Sequence, residues 1–227
     1  MYKNNSVNLP DIKSLISALL STPSVSCTSE DIDQGNRHVI DLLANWFVAL
    51  GFSCEFQVID ESEQGNKNID NLIANMGSGN NGLVLAGHSD TVPYDDDRWQ
   101  VDPFRGGQHD KKLYGLGSSD MKGFLAISAA ALRGIDRSTK KRSVIVIGSA
   151  DEEISIAGAR ALVDAQVSFA PYAVIGEPKG LQPVRLHKGI LMESIRLRGQ
   201  SGHSSNPALG ANAIDAMHDV IGALRQW

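Results

Sequence analysis

Cysteine is nearly missing from this chain. Cys27 and Cys54 are the only two among 227 residues and form no Cys-x-x-Cys pair. That excludes a disulfide-stapled scaffold and reads as two packed, reduced thiols in a cytoplasmic protein. Any excess of positive charge is also missing. Lys and Arg total 21 against 26 Asp and Glu, for a formal net charge of -5. The cations are scattered, so there is no electrostatic footprint for nucleic acid or an anionic membrane. Long apolar runs are absent too: the longest, at 124–132, is far too short for a bilayer. The first residues lack the basic region and apolar stretch of a targeting segment. No internal repeat or low-complexity segment is present. A small molecule is the partner these absences leave open.

What is present is patterned apolar content, 42% of the residues. It is enough for one large domain, or one domain plus part of a second. Apolar residues recur at helical spacing over 11–20. Thr28-Ser29-Glu30-Asp31 has the form of a capping box ahead of a helix over 32–50, which Gly51 ends. Short β-branched runs at 71–76, 83–86, 144–148 and 173–175 then alternate with helical patterns at 121–133 and 156–165. This order predicts an α/β fold with a mostly parallel sheet flanked by helices. After Pro183 the character changes. Residues 190–198 alternate as a strand with one wet face, and an amphipathic helix is expected over 209–224. The expected division is a catalytic domain over 1–184 and the start of a second, α+β domain over 185–227.

In open α/β sheets ligands sit beyond the carboxyl ends of the strands, and here those ends are rich in metal-ligating groups. The run 83–86 leads into Gly87-His88-Ser89-Asp90, 144–148 into Asp151-Glu152-Glu153, and 173–175 into Gly176-Glu177-Pro178. Asp120 stands between a glycine-containing loop and the helix that follows. A hydrolytic metal site needs nitrogen and oxygen ligands from several segments, an open position for water, and a carboxylate to take the water's proton. His88 offers the imidazole. Asp90, two residues on and sharing its face of an extended segment, could orient the ring through its second nitrogen. Asp120 could bridge two ions. Of Glu152 and Glu153, whose side chains diverge, one can ligate while the other faces the water. Read singly, His88 is an ordinary histidine, Asp120 a helix cap, the acidic run a solvated turn and Glu177 a surface charge. Their joint placement at strand ends points to cations instead. His203, in Ser201-Gly202-His203, reads by itself as a loop histidine. Trp99 and Phe104 read as packing.

These segments, in this order, resemble the peptidase M20 family of di-zinc hydrolases. The set, which includes Gly115-Leu116-Gly117-Ser118-Ser119-Asp120-Met121-Lys122-Gly123 and Ala150-Asp151-Glu152-Glu153, is highly specific. The resemblance implies a phosphorylase/hydrolase-like zinc-exopeptidase domain followed by a lid or dimerisation domain. It also implies two zinc ions per complete subunit, with cobalt able to substitute, and a homodimer. By the same resemblance His88 and Glu177 complete one zinc site, Glu153 the other, and Asp120 bridges them. Glu152 is the general base, Asp90 orients His88, and the peptide bond after Asp120 is cis. His203 reaches a partner's site to steady an oxyanion.

The segments 99–104, 181–185, 187–189 and 202–207 are most similar to the branch that deacylates N-acylated amino acids. The same metal constellation also serves desuccinylation, aminoacylase action and dipeptide cleavage. In the family a final histidine ligates the second ion from sequence beyond position 227. The expectation is therefore a truncated portion that holds the first ion better than the second and hydrolyses poorly. The rival expectation is a non-catalytic module.

Overall fold

Asp11 begins the first helix as the sequence predicts: its carboxylate accepts from the backbone N–H of Lys13 and Ser14, and α1 runs Ile12–Leu20. The computed structural model describes residues 9–29, 31–59, 69–79, 81–135, 142–165, 170–186, 188–189 and 193–226. After α1 come α2 (Arg37–Ala49), β1 (Ser53–Val58), β2 (Asp70–Met76), β3 (Leu83–His88), the short hairpin β4 (Gly107–His109) and β5 (Lys112–Tyr114), and α3 (Lys122–Leu132). The order continues with β6 (Val144–Ser149), α4 (Ala157–Asp164), β7 (Tyr172–Ile175) and α5 (Ala213–Leu224). The chain divides into one unit over Met1–Gln182 and another over Pro183–Trp227.

In the first unit a five-stranded sheet has the order β1-β2-β6-β3-β7. β3 is parallel to both β6 and β7, whereas β1–β2 and β2–β6 are antiparallel. The sheet is thus mixed, with parallel pairing confined to the half that carries the site. The connection from β1 to β2 is too short for a helical crossover, so β2 returns antiparallel.

The pleat sends alternate side chains to opposite faces. Leu72, Ala74 and Val146 join Leu43, Phe47, Leu125 and Ala129 of α2 and α3 in one core, while Ile145 and Ile147 meet Leu162 of α4 on the other face. Helices therefore cover both faces, as the run-and-helix alternation predicts. Val39, Ile40, Leu43 and Phe47, a stripe at helical spacing, are fully buried, each contributing about 1.5–3 kcal/mol.

Helix α2 begins later than the capping-box pattern predicts. Glu30 lies outside the described residues, and Asp33 and Gln34 are drawn into loop closure: Asp33 Oδ1 accepts from Cys27 N–H at 2.9 Å and Gln34 Oε1 from Val25 N–H at 3.1 Å. Asn36 then precedes the helix, but its side chain does not cap it. It spans instead to β2, pairing with both backbone groups of Asp70 at 2.8 and 2.9 Å.

The second unit departs further from expectation. Residues 190–192 lie outside the described residues, and 193–199 form no strand; the pairing present is a single bridge, Gln200 with Ala211. A strand needs a neighbour for its backbone ladder, and the described residues supply none for 193–199. The helix expected over 209–224 is divided into a short 3-10 turn, Pro207–Leu209, and α5, which Asn212 caps through Ile214 N–H.

Candidate metal centre

Parallel register brings three strand tips to one edge of the sheet. His88 lies opposite Ser149 of β6, and Ala86 opposite Ile175 of β7. Continued by two residues, that register sets Asp90 level with Asp151 and Glu177 level with His88. The step past β7 is tight: a Cβ on Gly176 would stand 2.0 Å from the Phe124 ring, so only glycine lets the backbone carry Glu177 over α3 at this point.

His88 is 2% exposed. Its Nδ1 sits 3.0 Å from the Asp90 carbonyl oxygen and 3.4 Å from the Asp90 carboxylate, and its Nε2 lies 3.1 Å from Asp120 Oδ1. Two ligand-capable groups form around this imidazole. His88, Asp120 and Glu177 bring one ligand atom each within 4.8 Å of one another, and so do His88, Glu152 and Glu153. Asp120 precedes α3 across a cis peptide bond to Met121. Its side chain is 53% exposed, against 2% for His88, so the cluster has a buried wall and an open mouth.

Asp90 is the organiser beneath. It is 1% exposed, and its two carboxylate oxygens accept the backbone N–H of Glu152 at 3.3 Å and of Glu153 at 3.2 Å. These bonds fasten the acidic turn to the tip of β3. Asp151 starts that turn at φ 51, a left-handed conformation that aspartate tolerates better than most residues. Its carbonyl accepts from Ser155 and Ile156.

The charges are out of balance without a cation. Burial raises the Glu153 carboxyl, His88 opposes, and Asp120, Glu152 and Asp90 push it further, to about 7. Glu152 is raised too, first by burial, with His88 opposing and Glu177, Asp90 and Asp120 adding. Burial by itself would lower His88, but the hydrogen bond and charge of Asp90, with Glu153 and Asp120, lift it to about 9. Asp90, despite burial, is held below its ordinary value by His88, Ser26 and the Glu153 N–H.

Crowded carboxylates around one imidazole fit a divalent metal in kind and in spacing. The 3.1 Å between His88 Nε2 and Asp120 Oδ1 is close to the ligand–ligand edge of about 3.3 Å that a tetrahedron with bonds near 2.0 Å requires.

His203 belongs to the other unit and is exposed. Its Nδ1 accepts from Ser205 N–H at 3.2 Å and contacts Ser205 Oγ at 2.7 Å. A neutral ring therefore carries its proton on Nε2. His187 lies outside the described residues, and His109 and His218 are exposed. Trp99 and Phe104 line a cleft of about 430 Å³, and Phe104 stacks edge-on with Tyr94 at 5.1 Å.

Sequence reasoning passed over the polar residues beneath the cluster: Ser24, Asn36, Ser89 and Lys122, all buried. For the first three no pattern in the sequence marks burial. Lys122 did leave a signal, a lone charge interrupting the apolar start of α3.

The model of peptidase family M20/M25/M40 matches residues 84–226. The chain is 50% identical over 219 residues to an acetylornithine deacetylase from Klebsiella pneumoniae (strain 342), covering 96% of this chain and 56% of that protein. It therefore spans a little over half that relative's length. Among solved structures it is similar to human carnosine dipeptidase 1, with TM-score 0.60 and 21% identity over 72% of this chain and 38% of that one. It is also similar to a tripeptidase from Staphylococcus aureus subsp. aureus Mu50, with TM-score 0.59 and 19% identity over 93% and 55%. At these identities the structural likeness speaks for the fold, the α/β architecture of M20 exopeptidase structures. Sequence match, fold and strand-tip donors meet on one conclusion: the chain belongs to peptidase family M20/M25/M40.

Proposed function

We propose that this chain forms the metal-binding portion of a zinc-dependent amide hydrolase that deacetylates N-acetylornithine, releasing ornithine and acetate for arginine biosynthesis. The gathering of His88, Asp120 and Glu177 at one strand edge carries the hydrolytic reading. The 50% identity to an acetylornithine deacetylase supports the substrate. His88 and Glu177 would hold one ion, Glu153 the other, and Asp120 would serve both. A zinc ion bound there would supply Lewis acidity and make water more acidic, and cobalt would substitute for it.

The chain's own residues do the rest. Asp90 keeps the His88 ring in place from its Nδ1 side. Glu152, its carboxyl raised by burial and neighbouring charge, takes the proton of the attacking water and returns it to the leaving nitrogen, splitting the amide into acid and amine. His203, with Nε2–H exposed, donates to the oxyanion in the site of a partner subunit of a homodimer. The free thiols Cys27 and Cys54 support a reducing, cytoplasmic setting. Both ligand groups share His88, so one ion would be held more firmly than a second.

Metal stoichiometry on the 227-residue chain, with hydrolysis assays and a Glu152→Ala control, tests this. One or two tightly bound zinc ions, with any turnover of N-acetylornithine abolished in Glu152→Ala, is the expected result. No bound metal would sink the site. Preference for N-succinyl-diaminopimelate or a dipeptide over N-acetylornithine by the full-length enzyme would sink the substrate.

A further inference from the structure

Lys122 has no task in the chemistry above, yet it is the only lysine or arginine buried among the described residues, at 0% exposure. It sits in the first turn of α3, where the helix dipole opposes a cation. Among the described residues no carboxylate stands within ion-pair distance of it. Its Nζ donates instead to the Thr22 carbonyl at 2.9 Å and to Ser24 Oγ at 3.3 Å. A buried ammonium with neutral partners is costly, and an apolar side chain of the same length would fill the space.

What the ammonium reaches accounts for its presence. Ser24 Oγ, accepting from Lys122, donates onward to the Ser89 carbonyl at 2.7 Å, between His88 and Asp90. The Ser24 carbonyl accepts from Thr91 N–H at 3.0 Å, and Ser26 N–H donates to the Thr91 carbonyl at 2.9 Å. Val25 and Thr91 form a parallel bridge. Residues 22–26 thus run beside 89–91, the stretch that carries β3 beyond His88. On its other side the lysine stem is roofed by Gly117, where a Cβ would lie 2.9 Å from Lys122 Cε, in the loop that leads to Asp120. One side chain touches the loop that leads to Asp120 and, through Ser24, is linked to the stretch that presents His88 and Asp90.

We infer that Lys122 is a positioning residue for the metal centre: through Thr22 and Ser24 its ammonium clamps residues 22–26 against the tip of β3 and sets the spacing of His88 and Asp120. The inference rests on the metal-site reading proposed above. An apolar residue at 122 would leave the Thr22 carbonyl without its donor and Ser24 free to turn from Ser89, so the ligands would lose their common anchor while the core remained filled.

The test is competitive zinc titration of the 227-residue chain against a chromophoric chelator, with the visible spectrum of the cobalt-loaded protein as a second readout. Lys122→Met is expected to bind zinc about 10- to 100-fold more weakly, the range for lost outer-shell support, and to shift the cobalt bands. Ser24→Ala, which keeps the lysine, is expected to move both readouts in the same direction by less, and it decides the matter if Lys122→Met fails to fold. Leu43→Ala, in the core away from these contacts, is expected to lower the melting temperature and leave zinc affinity unchanged. Folded Lys122→Met, or Ser24→Ala, binding zinc as tightly as the parent overturns the inference alone, as does an equal loss in Leu43→Ala. A parent chain that binds no zinc overturns the metal-site reading and this inference with it.

Discussion

His88 has two nitrogens in two different settings, and the distinction decides what substitutions around it do. Nδ1 faces Asp90 from beneath and Nε2 faces Asp120 at the mouth. Asp90 also accepts the N–H groups of Glu152 and Glu153. Asp90→Asn would turn an amide NH2 toward one of these donors and leave a buried N–H unpaired. The expected outcome is about 1–3 kcal/mol of lost stability together with zinc affinity down by roughly 10- to 100-fold, measured by urea unfolding and chelator competition. Glu152→Gln separates binding from chemistry. Zinc should be retained by the variant while hydrolysis by the full-length enzyme falls about 100- to 10,000-fold, the range for a lost general base. A variant that keeps its rate would remove Glu152 from that role. The candidate ligands at this scale were legible because His, Asp and Glu clustered just past β-branched runs. Ser24, Ser89 and Asn36 were not, since a serine or asparagine has the same appearance in a sequence whether solvated or buried.

At the scale of elements, the absence of one side chain lets the backbone just past β7 pass close against α3. Gly176→Ala would drive a methyl into the Phe124 ring, and about 1–3 kcal/mol of destabilisation is expected from overpacking. The cost should shrink in a Gly176→Ala/Phe124→Ala double variant compared with the sum of the singles, the signature of residues in contact. Additive unfolding energies would show that the strain lies elsewhere. Helix α2 gives a second case. Asn36, 3% exposed, ties the start of the helix to Asp70 of β2 and to Ser89 Oγ. Asn36→Ala would leave the Asp70 N–H buried and unpaired. The sequence, which places Asn36 within the helix expected over 32–50, held no trace of this, because the partners arrive from 34 and 53 positions away. The strand expected over 190–198 shows the converse: alternation was present in the sequence, but a strand exists only where a neighbour completes its hydrogen bonds.

For the molecule, the unbalanced acidic cluster makes stability depend on pH in a direction that can be stated. Glu153 has its folded value raised from 4.5 to about 7 and His88 from 6.5 to about 9. Each binds its proton more tightly when folded, so each contributes stability at low pH that is lost as pH rises through the raised value. Lys122, pushed down to about 8 by burial with Asp90 opposing, acts in the opposite sense only above that pH. The metal-free chain is therefore expected to lose stability between about pH 4.5 and 8, and added zinc to stabilise it more as pH rises, since ligation requires the deprotonated groups. Thermal unfolding in chelator and in excess zinc at several pH values checks this, and a metal-free melting temperature that climbs through the window would contradict it. At saturating metal, 100 times the dissociation constant, the gain is about 2.7 kcal/mol. No helix among the described residues is long and apolar enough to cross a membrane, in line with the short apolar runs.

Composition and periodicity were enough to determine an α/β sheet covered on both faces and to mark the candidate residues at its strand ends, because apolar spacing encodes which face is buried and because His, Asp and Glu are scarce enough at such ends to be noticed. Which strands are neighbours, and hence which candidate ligands converge, was decided only in three dimensions. β6 inserts between β2 and β3, β3 lies parallel between β6 and β7, and it is this register that sets Glu177 level with His88. The buried polar clamp beneath them exists for the same reason: hydrogen bonds between residues as distant as Thr22 and Lys122 form once packing has excluded water, and no local pattern records them.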